Sequence, residues 1–495
     1  MCTNTKGVPM SDQNEKSIIT REEIDAYVED NWSSYLEDLQ KLVAVNSEED
    51  KSSAGPGAPF GQGPKKAMET ALEIAKRMGF ATTDDKGYVG IADYAPKTQP
   101  GKPAANGIPT DPNKTLAIMG HVDIVPVGIG WDTDPYTVVE KDGYLFGRGV
   151  IDDKGPFLAA LYAGKYFVDK GIDLPYLLRY IVGSNEETGL EDAEYYTEHY
   201  PQPSFLLTPD GDFPVSAGEK GIYEGCFVAR GCAGGKLEKV EASTASNVIP
   251  KFSVAYVKAN AADLPAQEDI EIEDLGNGRA KITATGIPGH AALPGRAKNP
   301  SRALFDYLAH NQLFDDNQEN FVKLGQLIQS SYTGEQFGLD ATDDVFSPLT
   351  LVGGYLYQKG DDLIQDLNIR YPKTQNGKEI TKKLSQVAED MGMEYVQEFD
   401  MPTYYVGVDS APIQTLYATF RDHFDDDVEI GTIDGGTYAR HFENATAFGP
   451  SMPWKPFPSF VGDEHATNEG VSVERLKKVM AIYIDAIQRL MKLSY

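Results

Sequence analysis

Apolar positions along the chain recur with two periods, and the period changes several times between the ends. Over 21–45, Ile24, Tyr27, Val28, Tyr35, Leu36, Leu39, Leu42 and Val43 recur at near-helical spacing and predict a long amphipathic helix. A loop rich in Gly, Ser and Pro (52–63) leads into a second predicted helix, 64–78. That loop lacks the Gly-Lys-Ser/Thr ending of a phosphate-binding loop, and no clear strand precedes it.

Between 115 and 210 short apolar runs alternate with a helical pattern. The runs 115–120, 177–182 and 205–207 read as buried strands. Residues 155–170 carry an apolar helical face through Phe157, Leu158, Leu161 and Phe167. This alternation is the pattern of an α/β sheet with helices on its faces. After Gly221 the character changes. Pieces at 223–228, 252–257, 279–284, 349–357 and 367–371 read as strands, with helices over 300–311 and 380–391. From 404 the first style returns, with helices at 411–423 and 472–491.

The fold class predicted is therefore α/β, a catalytic domain with a central mixed sheet and an inserted α+β domain. The expected division is a flexible N-terminal arm over 1–20, a first catalytic segment over 21–221, the insert over 222–404 and a second catalytic segment over 405–495. No short-period repeat suggests a solenoid.

Composition narrows the function classes. A chain of 495 residues is too long for one compact core. The net charge of −30 argues against a nucleic-acid partner, because phosphate binding needs clustered Lys and Arg. No window approaches the roughly 18 consecutive apolar residues of a membrane span, and no basic start followed by an apolar stretch opens the chain. Three cysteines, Cys2, Cys226 and Cys232, are too few for a disulfide scaffold. A cytoplasmic enzyme with neither membrane nor nucleic-acid partner is expected.

Candidate chemistry concentrates where apolar runs end. Glu186 and Glu187 follow the run Tyr176–Asn185, and two adjacent acids at the end of a buried strand repel unless they share a strong positive charge. His121 and Asp123 follow another run, and in extended backbone residues two apart share a face, so one can bind a metal while the other orients it. Asp152 and Asp153 sit among glycines before a predicted helix. Asp210 ends a third run, and His465 precedes the last helix. In open α/β sheets ligands bind at the carboxyl ends of the strands. Two histidines, one bridging acid and further acids suit a pair of divalent ions, zinc first, with manganese and cobalt as alternatives. The acid left over is the candidate general base.

Taken together, His121-x-Asp123, Gly147-Arg-Gly-x-x-Asp152-Asp-Lys-Gly, Glu186-Glu187-x-Gly, Pro209-Asp210 and His465-x-x-Asn-Glu469 resemble the dinuclear zinc exopeptidases, the superfamily of carnosinases, aminoacylases, desuccinylases and glutamate carboxypeptidases. With the insert, Gly218-Glu-Lys-Gly221 and Leu367-Asn-Ile-Arg-Tyr-Pro372, the chain looks most like the bacterial peptidase V dipeptidases, from about residue 21 onward. The resemblance implies that His121 and Asp210 complete one metal's ligands and Glu187 and His465 the other's. It implies Asp152 as the bridge, joined to Asp153 by a cis peptide. Asp123 then orients His121, and Glu186 is the base that activates water and later protonates the leaving amine. The insert resembles a lid, whose motif Gly286-Ile-Pro-Gly-His290-Ala-Ala-Leu-Pro294 carries a histidine that helps stabilise the oxyanion. Gly289 stands there where Ala or Ser is commoner. Asn247 and Arg370 are implied to grip the substrate, and Gly436 to offer a backbone contact. A guanidinium suits a dipeptide's free carboxylate. The implied activity is hydrolysis of short peptides with a free C-terminus by a monomer; an N-acyl amino-acid deacylase or desuccinylase on the same site is the alternative.

Overall fold

The computed structural model describes residues 19–243, 245–292 and 294–495. The arm expected over 1–20 lies, except for Ile19 and Thr20, outside the described residues. The chain divides into two compact units. The first comprises residues up to Val215 with Val408–Ile430 and Thr437–Tyr495; the second comprises Ser216–Gly407 with Gly431–Gly436.

The first unit is built on a six-stranded mixed sheet. Its order across the sheet is Ala81–Asp85, Val89–Tyr94, Leu177–Gly183, Thr115–His121, Phe205–Thr208 and Ala445–Ala447. The last four run parallel to one another, and the first two are antiparallel additions at one edge. Leu116, Ala117, Ile118 and Met119 have no exposed surface, which explains the unbroken apolar run. A strand covered on both faces has no polar side to alternate with. The helices Arg21–Val43, Lys154–Asp169 and Val473–Leu490 pack on one another, and Gln62–Arg77 packs on the antiparallel edge. Capping follows the sequence. Thr20 and Glu23 form a capping box on the first helix, and Ser472 Oγ accepts from Arg475 N at 3.1 Å on the last. Each such cap stabilises by about 1 kcal/mol. A three-stranded ribbon, Val139–Lys141, Tyr144–Phe146 and Gly470–Ser472, ties the start of the last helix to the segment before Gly147.

The second unit has a nine-stranded sheet in which every pairing is antiparallel. The helices Pro300–His310, Glu319–Ile328 and Gly377–Asp390 contribute to the apolar clusters under it. Alternation is visible in Phe252–Val257, where Ser253, Ala255 and Val257 point inward. The insert predicted over 222–404 is longer at both ends. Ser216–Glu219 pairs with Tyr404–Tyr405 and, in parallel, with Gly431–Ile433, so 431–436 group with this unit and not with the second catalytic segment. Among the described residues, no helix is long and apolar enough to cross a membrane.

Candidate metal centre

Three neighbouring parallel strands of the first unit end at one edge of the sheet. His121 is the last residue of its strand and lies in register with Gly183, after which the chain turns through Ser184 and Asn185 to Glu186 and Glu187. On the other side Phe205–Thr208 leads through Pro209 to Asp210. Adjacency in the sheet therefore converts three distant stretches of sequence into one cluster.

Asp152 lies at its middle. Its Oδ1 is 3.0 Å from His121 Nε2, and its Oδ2 is 2.9 Å from His465 Nε2. His465 Nε2 is also 3.0 Å from Glu187 Oε2, and His121 Nε2 is 3.9 Å from Asp210 Oδ2. Among the described residues, one donor atom from each of His121, Asp152 and Glu187 lies within 4.8 Å of the other two, and the same holds for His121, Glu186 and Asp210. The Asp152–Asp153 peptide is cis. Asp123 lies behind His121. Its main-chain oxygen is 3.1 Å and its Oδ1 3.4 Å from His121 Nδ1, leaving Nε2 to face the carboxylates.

The charges are unbalanced. Burial, followed by the charge of Asp210, holds the Glu186 carboxyl well above its usual range. Burial and the charge of Asp152 raise Glu187 and push Asp210 up to about 7. Burial also opposes charge on Asp152, but the hydrogen bonds from His121 and His465 outweigh it and hold this carboxyl low. Burial lowers the two imidazoles; their contacts with Asp152, and with Asp123 and Glu187 respectively, more than reverse that, carrying His465 to about 12. Four acids thus meet two imidazoles with too little positive charge. Imidazole nitrogens and carboxylate oxygens in this number are the donor set of zinc, manganese or cobalt, so the residues present fit divalent metal ions.

The loops carrying these groups are held by residues that sequence reasoning passed over. Asp192, at the start of the helix Glu191–His199, accepts from Ser184 N at 2.7 Å, Asn185 N at 2.9 Å and Tyr438 Oη at 2.6 Å, pinning the turn before Glu186. This helix gave no clear signal because it buries only Asp192, Ala193 and Tyr196. Nothing in the sequence pattern singles out Tyr438. Asp153 Oδ2 accepts from His121 N at 3.2 Å. Arg148 and Glu469, both inside quoted motifs, form a buried ion pair of 2.6 Å.

The other predicted residues belong to the second unit. Asn247 and His290 are brought together there, since Val248 pairs with His290 and Ala291 N donates to Asn247 O at 2.8 Å. Arg370 is buried, and its Nε donates to Asn368 Oδ1 at 3.0 Å. Asn368 Nδ2 in turn donates to Glu224 Oε1 (2.8 Å), which also accepts from Ser246 Oγ at 2.6 Å, so a polar chain leads from Arg370 to the residue before Asn247. Gly436 follows Asp434, which takes Lys220 Nζ at 3.3 Å.

The family model described as Peptidase family M20/M25/M40 matches residues 117–489. The chain is 30% identical over 475 residues to the Beta-Ala-Xaa dipeptidase of Lactobacillus delbrueckii subsp. lactis, covering 92% of this chain and 96% of that one. It is 28% identical over 476 residues to the putative dipeptidase YtjP of Bacillus subtilis (strain 168), covering 92% and 97%. Among solved structures, human carnosine dipeptidase 1 shares the fold at a TM-score of 0.56 and 16% identity, over 96% of this chain and 100% of that one. The dipeptidase Dug1p of Saccharomyces cerevisiae does so at 0.57 and 12%, over 96% and 99%.

Proposed function

The chain belongs to peptidase family M20/M25/M40 and is a metal-dependent hydrolase, and from that premise we propose that it is a dinuclear zinc dipeptidase acting on short peptides with a free C-terminal carboxylate. The observation that carries this reading is the convergence of His121, Asp152, Glu187 and Asp210, with His465, at the carboxyl edge of three neighbouring strands. Asp152 is assigned as the bridge, with His121 and Asp210 on one side and Glu187 and His465 on the other.

When bound, two divalent ions acidify a water and polarise the scissile carbonyl. Glu186 also lies within donor range of His121 and Asp210, and we assign it to take the proton at an Oε atom. The same carboxyl can then return that proton to the leaving amine. Asp123 holds the His121 ring with Nε2 forward. To the second unit we assign substrate contacts: Arg370 for the terminal carboxylate, His290 for the developing oxyanion, Asn247 and the Gly436 backbone for further hydrogen bonds. Arg370 is suited to its part because Asn368 fixes its Nε and so sets the plane of the guanidinium.

The names of the relatives do not favour the deacylase alternative. We further propose that the enzyme works as a monomer in the cytoplasm. The test is a panel of dipeptides, β-alanyl peptides, tripeptides and N-acetyl and N-succinyl amino acids, assayed with zinc, manganese and cobalt. Turnover of dipeptides, lost with a chelator and restored by added metal, supports the reading. Faster turnover of acyl amino acids than of any dipeptide contradicts it.

A further inference from the structure

Glu469 lies four residues after His465 and has no exposed surface. Its Oε1 accepts from the main-chain amides of Gly149 at 2.9 Å, Ile151 at 3.2 Å and Asp152 at 3.4 Å. Its main-chain oxygen accepts from Gly147 N at 3.2 Å. One residue thus collects four amides of the loop that ends at Asp152. Its Oε2 takes Arg148 Nη1 at 2.6 Å, and Arg148 Nη2 donates to His465 O and to Pro126 O, each at 3.3 Å. The guanidinium also lies over the Trp131 ring, 5.3 Å from its centre. Asn468 joins the same assembly, with Oδ1 accepting from Asp132 N at 2.8 Å.

The loop geometry needs such a tie. Gly147 and Gly149 adopt positive φ, so the segment has no helix or strand ladder to absorb its amides. His465 also has a positive φ, +63°, and its side chain is 52% exposed. His121, by contrast, is the last residue of a strand of the central sheet, and Asp210 comes two residues after the end of another. A buried carboxylate paired with a buried guanidinium is weak evidence for stability alone, since apolar residues of equal volume often serve as well. An acceptor for three converging amides and a cation has a narrower use, which is to fix two loops at one spacing.

We propose that Glu469, acting with Arg148, is a positioning residue that sets the distance between Asp152 and His465, and so governs the affinity of the metal seat that these two form with Glu187. The proposal rests on the dinuclear reading above. The two seats share Asp152, so the clamp reaches both through it, but only one of them also takes His465.

The test follows the metal content of the zinc-loaded full chain, equilibrated against buffers of decreasing free zinc. Wild-type protein is expected to fall from two ions to none in two steps, and His465→Ala identifies which step belongs to the clamped seat. Glu469→Gln keeps the shape of the side chain and should move that step to roughly 10–100-fold higher free zinc, with a smaller shift in the other, which shares Asp152 but not His465. Arg148→Lys keeps the charge but loses the fork to His465 O. It should move the same step in the same direction, and it carries the test if Glu469→Gln does not fold. Equal shifts of both steps, or no shift in either variant, overturn the proposal. A single ion per wild-type chain at every zinc concentration contradicts the dinuclear reading itself and takes the proposal with it.

Discussion

The main-chain amide of Glu187 donates to Asp123 Oδ2 at 3.1 Å, while Asp123 Oδ1 lies 3.4 Å from the His121 ring. One carboxylate therefore joins His121, at the end of one strand, to Glu187, in the turn after the neighbouring strand, the two residues we assign as ligands. Asp123→Asn keeps the shape and an acceptor for the amide but removes the charge behind the imidazole. We expect metal affinity or turnover to fall about 10–100-fold. Metal content and kinetics of the purified variant check this. The main-chain oxygen of Asp123 also reaches His121 Nδ1, at 3.1 Å, so wild-type behaviour in the variant would mean that this contact alone orients the ring.

Tyr438→Phe removes the hydroxyl that donates to Asp192 at 2.6 Å and leaves Asp192 with the amides of Ser184, Asn185 and its own helix. Loss of a hydrogen bond to a buried carboxylate costs about 1–3 kcal/mol. Chemical denaturation should report a loss of that size, together with slower turnover from a looser Glu186–Glu187 turn. Unchanged stability would show that the three remaining amides alone fix Asp192.

The second unit carries its own pH dependence. Asp366 is 3% exposed, and burial, with the charges of Glu224 and Glu398, pushes its carboxyl up to about 8. In the unfolded chain it titrates near 4, as a free Asp does. Between these values the folded chain holds a proton that the unfolded chain has released. The associated stability is therefore complete below about pH 4 and is lost as pH rises to about 8. Asp366→Asn should flatten this slope and stabilise the protein at the alkaline end. Denaturation midpoints at several pH values test it, and an unchanged slope in the variant would remove Asp366 as the cause.

Much of the first unit was legible because its chemistry sits at the ends of apolar runs. The strand at Thr115–His121 and the helix at Ala411–His423 fall where periodicity puts them, and His121, Glu186, Glu187 and Asp210 stand out by following apolar runs, whereas Asp152 and His465 do not. Elements with weak apolar faces were not legible. Glu191–His199 is one, and Ile270–Gly276, which exposes most of its residues at the edge of its sheet, is another. Nor could the spacing of residues reveal that Gly431–Ile433 leaves its neighbours to pair with Ser216–Glu219, because that pairing joins stretches more than two hundred residues apart. The clamp was hidden for the same reason. Arg148 and Glu469 each appear in a motif, but their contact spans 321 positions.

The central claim is a division of labour between adjacent acids, with Glu187 as a ligand and Glu186 as the base. Its most direct measurement is turnover of a dipeptide by Glu186→Gln at matched metal content. We expect full metal loading, an unchanged fold and a loss of turnover of about 10²–10⁴-fold. Near-normal turnover, or loss of metal in parallel with loss of activity, would contradict it.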